Sequence, residues 1–217
     1  MPQPSESGFF ARVLTAWFDL RQSMRGILAT DPPEGRILMF AMLHGLILFA
    51  AYALEVGAEA ARFINLPSQT FQQQASLSAK VAAGFTAFLI LRPLFLYALA
   101  GVSGLVARWA GGRASWREGR AAVCWAALVS APVSFVCSLP GILVPLSTGV
   151  DIAFSLAGVL MFVIALSYCL AEAHGFRRVW MVFLVLGGTA AAVFGGVLGG
   201  LQAVGDATAM TALHDRS

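Results

Sequence analysis

Charged residues are scarce in this sequence. They make up 12% of its 217 residues, about half of the share that a soluble domain typically carries. Apolar residue types make up 59% of the chain. This composition leaves too little polar surface for a soluble fold and predicts an integral membrane protein. Most of the apolar residues lie in five charge-poor stretches: 37–54, 81–107, 121–150, 152–171 and 179–205.

Lysine and cysteine are also rare. Lys80 is the only lysine among 14 basic residues, and the arginines are spread over separate polar segments. They do not form the single basic face typical of nucleic-acid binding, so we expect no nucleic-acid partner. Free cysteines in apolar surroundings usually act as small buried hydrophobes. The three cysteines have no CxxC or Cys/His spacing, so we expect neither a disulfide nor a metal site: Cys124, Cys137 and Cys169.

Catalytic signatures are missing as well. No GxSxG, HExxH, Walker loop or dinucleotide fingerprint occurs in the sequence. His44, His174 and His214 lie far apart, and no acid or cysteine in the first apolar stretch is placed to make His44 part of a relay. We therefore predict a non-enzymatic protein with no catalytic residue and no cofactor. His44 is expected to be buried and bonded to a carbonyl of a neighbouring helix.

The apolar stretches are each long enough to cross a bilayer as a helix, which takes about 20 residues. Only a helix satisfies its own backbone hydrogen bonds in lipid. We therefore predict an all-α, polytopic fold with one membrane domain at 37–205, between an N-terminal segment 1–36 and a tail 206–217. The five predicted transmembrane helices are about 37–59, 80–108, 119–144, 150–173 and 179–204.

The turn between the third and fourth spans has two candidate positions, 138–141 and 145–149. We favour the later position because Ser147, Thr148 and Asp151 offer caps for the fourth span.

The basic residues are unevenly distributed between the two sides of these spans. Ten lie in the N-terminal segment and in the second and fourth loops, whereas Arg62, Lys80 and Arg216 lie on the other side. Cytoplasmic loops carry the excess of Lys and Arg. We therefore expect the N-terminus in the cytoplasm and the C-terminus outside.

Residues 8–29 are predicted to form an amphipathic helix before the first span. Its arginines and aromatic residues suit the cytoplasmic membrane interface, although packing beneath the bundle is an equally good interpretation. Beyond it, Asp31 is placed to cap the first span, with Pro32 at its first position and Glu34 three residues after the cap. The apolar face of the predicted helix 8–29 consists of residues at three- and four-residue spacing: Phe10, Val13, Leu14, Trp17, Met24 and Leu28.

The second loop and the end of the fourth span carry clear helix-end signals. Gly111 and Gly112 are expected to terminate span two, and Ser115 with Glu118 has the capping-box spacing. His174 before Gly175 reads as a helix end, with His174 as a polar cap rather than a ligand. The arginines here either hold anionic lipid headgroups or only anchor the topology. The headgroup candidates are Arg108, Arg113, Arg117, Arg120, Arg177 and Arg178.

Arg92 and Pro93 stand near the middle of span two. A mid-membrane arginine costs about 2.5–3.5 kcal/mol on insertion scales and usually faces the bundle interior or water. Proline removes a backbone bond and kinks the helix. A structural Arg92 binds carbonyls freed by the kink or pairs with an acid such as Glu55, Asp151 or Glu172. A functional Arg92 contacts an anionic headgroup or another polar partner.

Span five has a ridge of small residues that lets helix backbones approach closely in lipid. The contact lies either within the bundle or with a second copy of the chain. The ridge is formed by Gly188, Ala192, Gly196 and Gly200, with a parallel row at Gly187, Ala191, Gly195 and Gly199.

Four segments resemble the bacterial branch of the Yip domain family, whose eukaryotic members are Ypt/Rab-GTPase-interacting membrane proteins. The resemblance implies five spans, a cytoplasmic N-terminus and a role in membrane organisation. A Rab-type partner is not carried over, because the Ala-, Gly- and Arg-rich composition with one lysine is typical of a bacterial protein. The segments that carry the resemblance are 17–28, 31–36, 108–133 and 172–180.

These observations predict a multi-pass protein of the bacterial inner membrane that binds lipids, other membrane proteins or itself. The alternative is a small transporter, channel or lipid-translocating protein that uses Arg92. Against that alternative, five spans cannot divide into the two equal halves common in transporters.

Overall fold

The computed structural model describes residues 12–13, 15–63, 71–144 and 147–186. Within these ranges every regular element is a helix, so the predicted all-α fold is confirmed. Four described stretches are long and apolar enough to cross a membrane: Glu34–Ala61, Ser76–Trp109, Trp116–Leu143 and Gly149–His174.

The fifth predicted span is described only at its start, where residues 179–186 are helical. The ridge at Gly188, Ala192, Gly196 and Gly200 and the tail 206–217 lie outside the described residues.

Six helices have both ends within the described ranges and are numbered in chain order. A 3₁₀ turn at Ala16–Phe18 precedes the first, and a π turn at Ala87–Leu91 joins the third to the fourth. The helices are α1 Leu20–Ala29, α2 Glu34–Phe63, α3 Phe71–Thr86, α4 Arg92–Trp109, α5 Trp116–Leu143 and α6 Thr148–His174.

The N-terminal segment is not the single helix 8–29 that the spacing predicts. Asp19 interrupts it, because its side chain accepts a hydrogen bond from the amide of Gln22 at 2.8 Å and caps a new helix, α1. The buried face of α1 packs on α5 and α6, with Met24 fully enclosed. The indole of Trp17, just before α1, donates to the carbonyl of Val129 at 3.0 Å. The packing interpretation therefore holds for this face.

Helix α2 begins at Glu34, two residues after Pro32, the first helical position that the capping signal predicts. Asp31 has φ +39° and does not cap the helix. The amides of Arg36 and Ile37 donate instead to the carbonyl of Pro33, at 2.9 and 3.3 Å. The physical reason is the double proline: a residue that precedes proline is pushed away from helical geometry. This keeps both Asp31 and Pro32 out of the helix.

The backbone changes register just before Pro93. The amide of Arg92 donates to the carbonyl of Ala87, five residues earlier. Pro93 has no N–H and its ring crowds the preceding turn, so the wider π turn gives the ring room. In this register the carbonyl of Phe88 lacks the donor that residue 93 would supply. It lies instead against Gly45 of α2, where a Cβ would overlap it.

Three of the predicted signals at the other helix ends are confirmed, whereas the side chain of Ser147 makes no capping bond at the start of α6. Helix α4 ends at Trp109, and Gly111 follows with φ +88°. Ser115 and Glu118 form the capping box at the start of α5. Gly175 takes the left-handed conformation after α6, with φ +74°. The later turn between the third and fourth spans is also correct, because α5 runs to Leu143 and α6 starts at Thr148.

Helix α5 is the centre of the bundle. Every residue from Ala121 to Ala131 is buried, and the helix contacts α2, α4 and α6. Five of these eleven residues are alanine, and small side chains let neighbouring helices approach closely in lipid. Cys124 of α5 and Cys169 of α6 are buried here as small apolar side chains, and Cys137 is half-buried.

Candidate functional site

The first polar cluster lies in the middle of the candidate span Ser76–Trp109. Nε of Arg92 donates to Nε2 of His44 at 3.3 Å, and Nδ1 of His44 donates to the carbonyl of Ala127 at 2.8 Å. Because one ring nitrogen donates and the other accepts, this geometry assigns His44 as neutral. The predicted carbonyl bond of a buried His44 is confirmed, since the residue is 2% exposed.

The acid partners considered for Arg92 are wrong within the described ranges. Glu172 pairs with other arginines, and neither Glu55 nor Asp151 forms an ion pair with Arg92. The charge of Arg92 therefore has a neutral partner in His44. The sequence analysis did not predict this contact. One signal was available, because Arg92 and His44 are each the only ionisable basic or acidic residue in their apolar stretches.

The second cluster lies at one end of the bundle, which we call the arginine-rich end. It comprises α1, the loop 110–115 and the loop 175–178. The amide of Arg113 donates to the carbonyl of His174 at 3.4 Å. A terminal nitrogen of Arg21 donates to the carbonyl of Phe176 at 3.0 Å. These bonds bring together segments that are far apart in the sequence.

Glu172 is the acid that holds α1 against the end of α6. Its carboxylate accepts from Nε of Arg25 at 2.6 Å and lies 3.7 Å from Nε of Arg21. The carboxylate is mostly buried, with 18% of the side chain exposed. Its hydrogen bond and negative charge raise the pKa of Arg25. No signal in the sequence singles out this pairing.

Three of the six headgroup candidates are engaged by the protein itself. Arg117 pairs with Asp31 at 3.3 Å, and Arg120 pairs with Glu34. The guanidinium of Arg108 lies 4.1 Å from the ring centre of Trp116, at cation–π distance. Arg117 and Arg120 join α5 to the start of α2, whereas Arg108 contacts α5 from the end of α4.

The other three candidates are Arg113, Arg177 and Arg178. All three are exposed, and none forms an ion pair within the part of the chain that the structure describes. Large apolar rings stand exposed in or beside the same end: Phe18 at 91%, Trp109 at 86% and Trp180 at 55%. Unpaired cations beside exposed aromatic rings are typical of a membrane interface.

A cleft opens between the second loop and the end of α6. Its volume is about 480 Å³, and polar groups dominate its walls, including Arg113, Glu118 and Glu172. His174 forms part of the wall and is 3% exposed. The imidazole does not cap the helix as predicted, because the amides of Gly175 and Phe176 bond the last carbonyls instead.

The described residues were also compared with the expectation that the chain has no metal site. Over residues 12–13, 15–63, 71–144 and 147–186, no group of three or more His, Cys, Asp or Glu side chains is placed to hold a metal ion.

Comparison with known proteins returns one match. A family model described as the Yip1 domain matches residues 14–201, which is most of the chain. No curated protein and no solved structure matches. The matched region contains all four described spanning helices and the arginine-rich end.

Proposed function

Because the chain belongs to the Yip1 domain family, we propose that it is a non-enzymatic protein of membrane organisation. It binds anionic lipid headgroups at its arginine-rich end. It lies in a bacterial inner membrane with five spans, the fifth at 179–204. Its N-terminus is cytoplasmic and its C-terminus periplasmic. The four described spanning helices and the uneven distribution of arginines support this arrangement.

One observation carries the proposal: the three exposed arginines without an ion pair in the described residues share one end with exposed aromatic rings. A basic residue near an anionic membrane surface contributes about 1 kcal/mol. Arginines that already pair with Asp31, Glu34 or Glu172 have less charge to offer a lipid. The headgroup contacts therefore fall to Arg113, Arg177 and Arg178.

The helix ridge of span five supplies a second kind of contact in this proposal. Its small residues suit close packing against another helix. That helix belongs to the bundle, to another membrane protein or to a second copy of the chain.

The test uses the full chain in membranes of phosphatidylcholine and phosphatidylglycerol. The protein is extracted with its surrounding lipid, and the two lipids are quantified by mass spectrometry. Replacing the three unpaired arginines, Arg113, Arg177 and Arg178, with Gln is expected to abolish the enrichment of phosphatidylglycerol. The matched control replaces three paired arginines, Arg25, Arg117 and Arg120, and removes the same charge.

The control variant is expected to keep most of the enrichment. Equal loss in both variants would mean that net charge alone attracts the lipid. Absence of enrichment around the unchanged protein would overturn the proposal.

A second candidate function is movement of an anion or a lipid through the bundle, and Arg92 is the observation that favours it. Its two terminal amino groups form no hydrogen bond among the described residues, while its Nε is held by His44. An arginine fork of this kind suits a carboxylate or phosphate. Under this candidate, Arg92→Leu abolishes flux in reconstituted vesicles and Arg92→Lys retains part of it. Unchanged flux in Arg92→Leu would leave Arg92 with a structural role.

A further inference from the structure

The imidazole of His174 lies buried beside the cleft between the second loop and the end of α6. Neither ring nitrogen has a hydrogen-bond partner in the part of the chain that the structure describes, although the residue is only 3% exposed. An imidazole has two polar nitrogens, and at least one carries a proton to donate. A buried polar atom left without a hydrogen bond destabilises the protein. Because His174 is one of the residues that line the cleft, the unsatisfied imidazole favours a ligand there.

The imidazole ring of His174 is in close contact with two neighbouring residues, Gly112 and Phe176. Gly112 lies so close that a Cβ there would come within 2.5 Å of Nδ1 and 3.0 Å of Cγ. The ring of Phe176 stacks on the imidazole, with centroids 5.9 Å apart and planes at 19°. A side chain clamped in this way loses little further freedom when it binds a ligand.

Two carboxylates and one arginine line the cleft. The carboxylates already bind other groups of the protein, whereas the arginine forms no ion pair among the described residues. Glu118 is engaged by the amide of Ser115 at 2.6 Å, within the capping box. Glu172 is engaged by Arg25 and Arg21. The guanidinium of Arg113 has no ion pair in the described ranges. The groups that remain to bind a ligand are Arg113 and the ring of His174.

We propose that this cleft is a binding site for one phosphate-type oxyanion, with Arg113 supplying the charge and His174 a buried donor. Phosphate oxygens accept strong, charge-assisted hydrogen bonds from guanidinium groups. The cleft volume of about 480 Å³ leaves room for the glycerol part of a lipid headgroup as well. The lipid form of this inference rests on the proposed function, whereas soluble phosphate would use the same donors.

The test measures how many phosphatidylglycerol molecules stay bound to the full chain after exchange into mild detergent, by native mass spectrometry. We expect one tightly retained lipid per unchanged chain. His174→Phe keeps the ring shape and removes both nitrogens, and we expect it to lower retention at least tenfold. Arg113→Gln is expected to do the same. Arg178→Gln tests a headgroup contact outside the cleft. Arg36→Gln is the matched control, because Arg36 is exposed, forms no ion pair among the described residues and lies outside both the cleft and the proposed headgroup contacts.

A second arm separates the two sources of phosphate. The unchanged protein is placed in nanodiscs of phosphatidylcholine alone and titrated with inorganic phosphate. A rise in Tm that His174→Phe abolishes assigns the site to soluble phosphate and supports the inference. Gly112→Ala, whose Cβ would overlap both the imidazole and the backbone carbonyl of Ala107, is expected to weaken whichever ligand binds.

The outcomes distinguish this inference from the proposed function. If Arg113→Gln and Arg178→Gln reduce lipid retention equally and His174→Phe has no effect, the cleft is not the site and the dispersed headgroup contacts stand. If phosphatidylglycerol is not retained at all but phosphate raises Tm through His174, the cleft stands and the proposed function fails. Equal behaviour of His174→Phe and the unchanged protein in both arms overturns the inference. The unfolding temperature of His174→Phe without ligand shows whether the variant is folded.

Discussion

The two halves of the bundle differ in how tightly they pack. Along α5, the residues from Ala121 to Ala131 are buried, whereas Val136 is 61% exposed and Leu143 is 74% exposed. Helix α6 shows the same gradient in the opposite chain direction: residues 151–156 are exposed and 165–167 are buried. The tightly packed half adjoins the arginine-rich end, and the other half presents apolar side chains outward.

The two halves are stabilised by different interactions. Near the arginine-rich end, alanines let α5 approach its neighbours, and α1 covers the end with ion pairs and indole hydrogen bonds. In the opposite half, Pro132 and Pro140 lie within α5, and a proline removes a backbone bond and disturbs the helix. We therefore expect substitutions in the tightly packed half to have the larger effects on stability.

The largest effect is expected from Trp125→Ala. Trp125 is 1% exposed, its ring centroid lies 5.2 Å from that of Phe40, and its indole donates to Oγ of Ser23 at 3.1 Å. Truncation leaves a cavity and detaches α1, so the loss should be about 3 kcal/mol or more. Thermal unfolding in nanodiscs measures it. Val136→Ala is the control from the exposed half, and an equal effect of the two would contradict the comparison.

Gly45→Ala tests the contact between α2 and the π turn. An added Cβ would overlap the carbonyl of Phe88, and overpacking of this kind costs about 1–3 kcal/mol. Gly57→Ala in the same helix is the matched control, because nothing lies within 4 Å of its added Cβ. The control should be neutral or stabilising, since alanine favours helix over glycine. Equal unfolding temperatures for the two variants would argue against a close approach at Gly45.

Glu172→Gln should have a smaller effect than Gly45→Ala on global stability but a specific effect on α1. It removes the carboxylate shared by Arg21 and Arg25. We expect α1 to detach more often, which limited proteolysis or hydrogen exchange of residues 20–29 detects. High salt should reduce the difference from the unchanged protein, because exposed Arg25 is screened. Unchanged protection of α1 would show that apolar packing alone holds it.

The smallest effect is expected from Glu59→Gln in the opposite half of the molecule. Glu59 pairs with Lys80 at 2.9 Å, but both side chains are about half exposed. Surface pairs of this kind contribute between zero and about 1 kcal/mol. Thermal unfolding of this variant beside Glu172→Gln compares ion pairs at the two ends directly. A larger loss for Glu59→Gln would reverse the comparison.

Local signals predicted the helix ends well because they act over a few residues. Glycines with positive φ, the Ser115–Glu118 capping box and the late turn before α6 all depend on neighbours in the chain. The start of α2 was predicted wrongly, since the effect of two successive prolines on the preceding residues outweighed the capping signal of Asp31. The break within residues 8–29 was missed for a similar reason: Asp19 caps a new helix in the middle of an amphipathic pattern.

The candidate site could be predicted only in its composition. The sequence showed which arginines lie at one end, but the pairing of Arg25 with Glu172 joins residues 147 positions apart. Likewise, the contact of Arg92 with His44 depends on how α2 packs against α4. The environment of the His174 ring was not predictable, because the loop 110–115 that packs against it is far away in the sequence.

The amino-acid sequence by itself determined that this chain is helical, apolar enough to enter a membrane and asymmetric in its arginines. These properties follow from composition and from interactions within a few residues. Only the tertiary structure decided which arginines form ion pairs with acids among the described residues and which do not. The reason is physical: a charge is satisfied by whatever packing brings within a few ångströms, and that packing joins segments far apart in the chain.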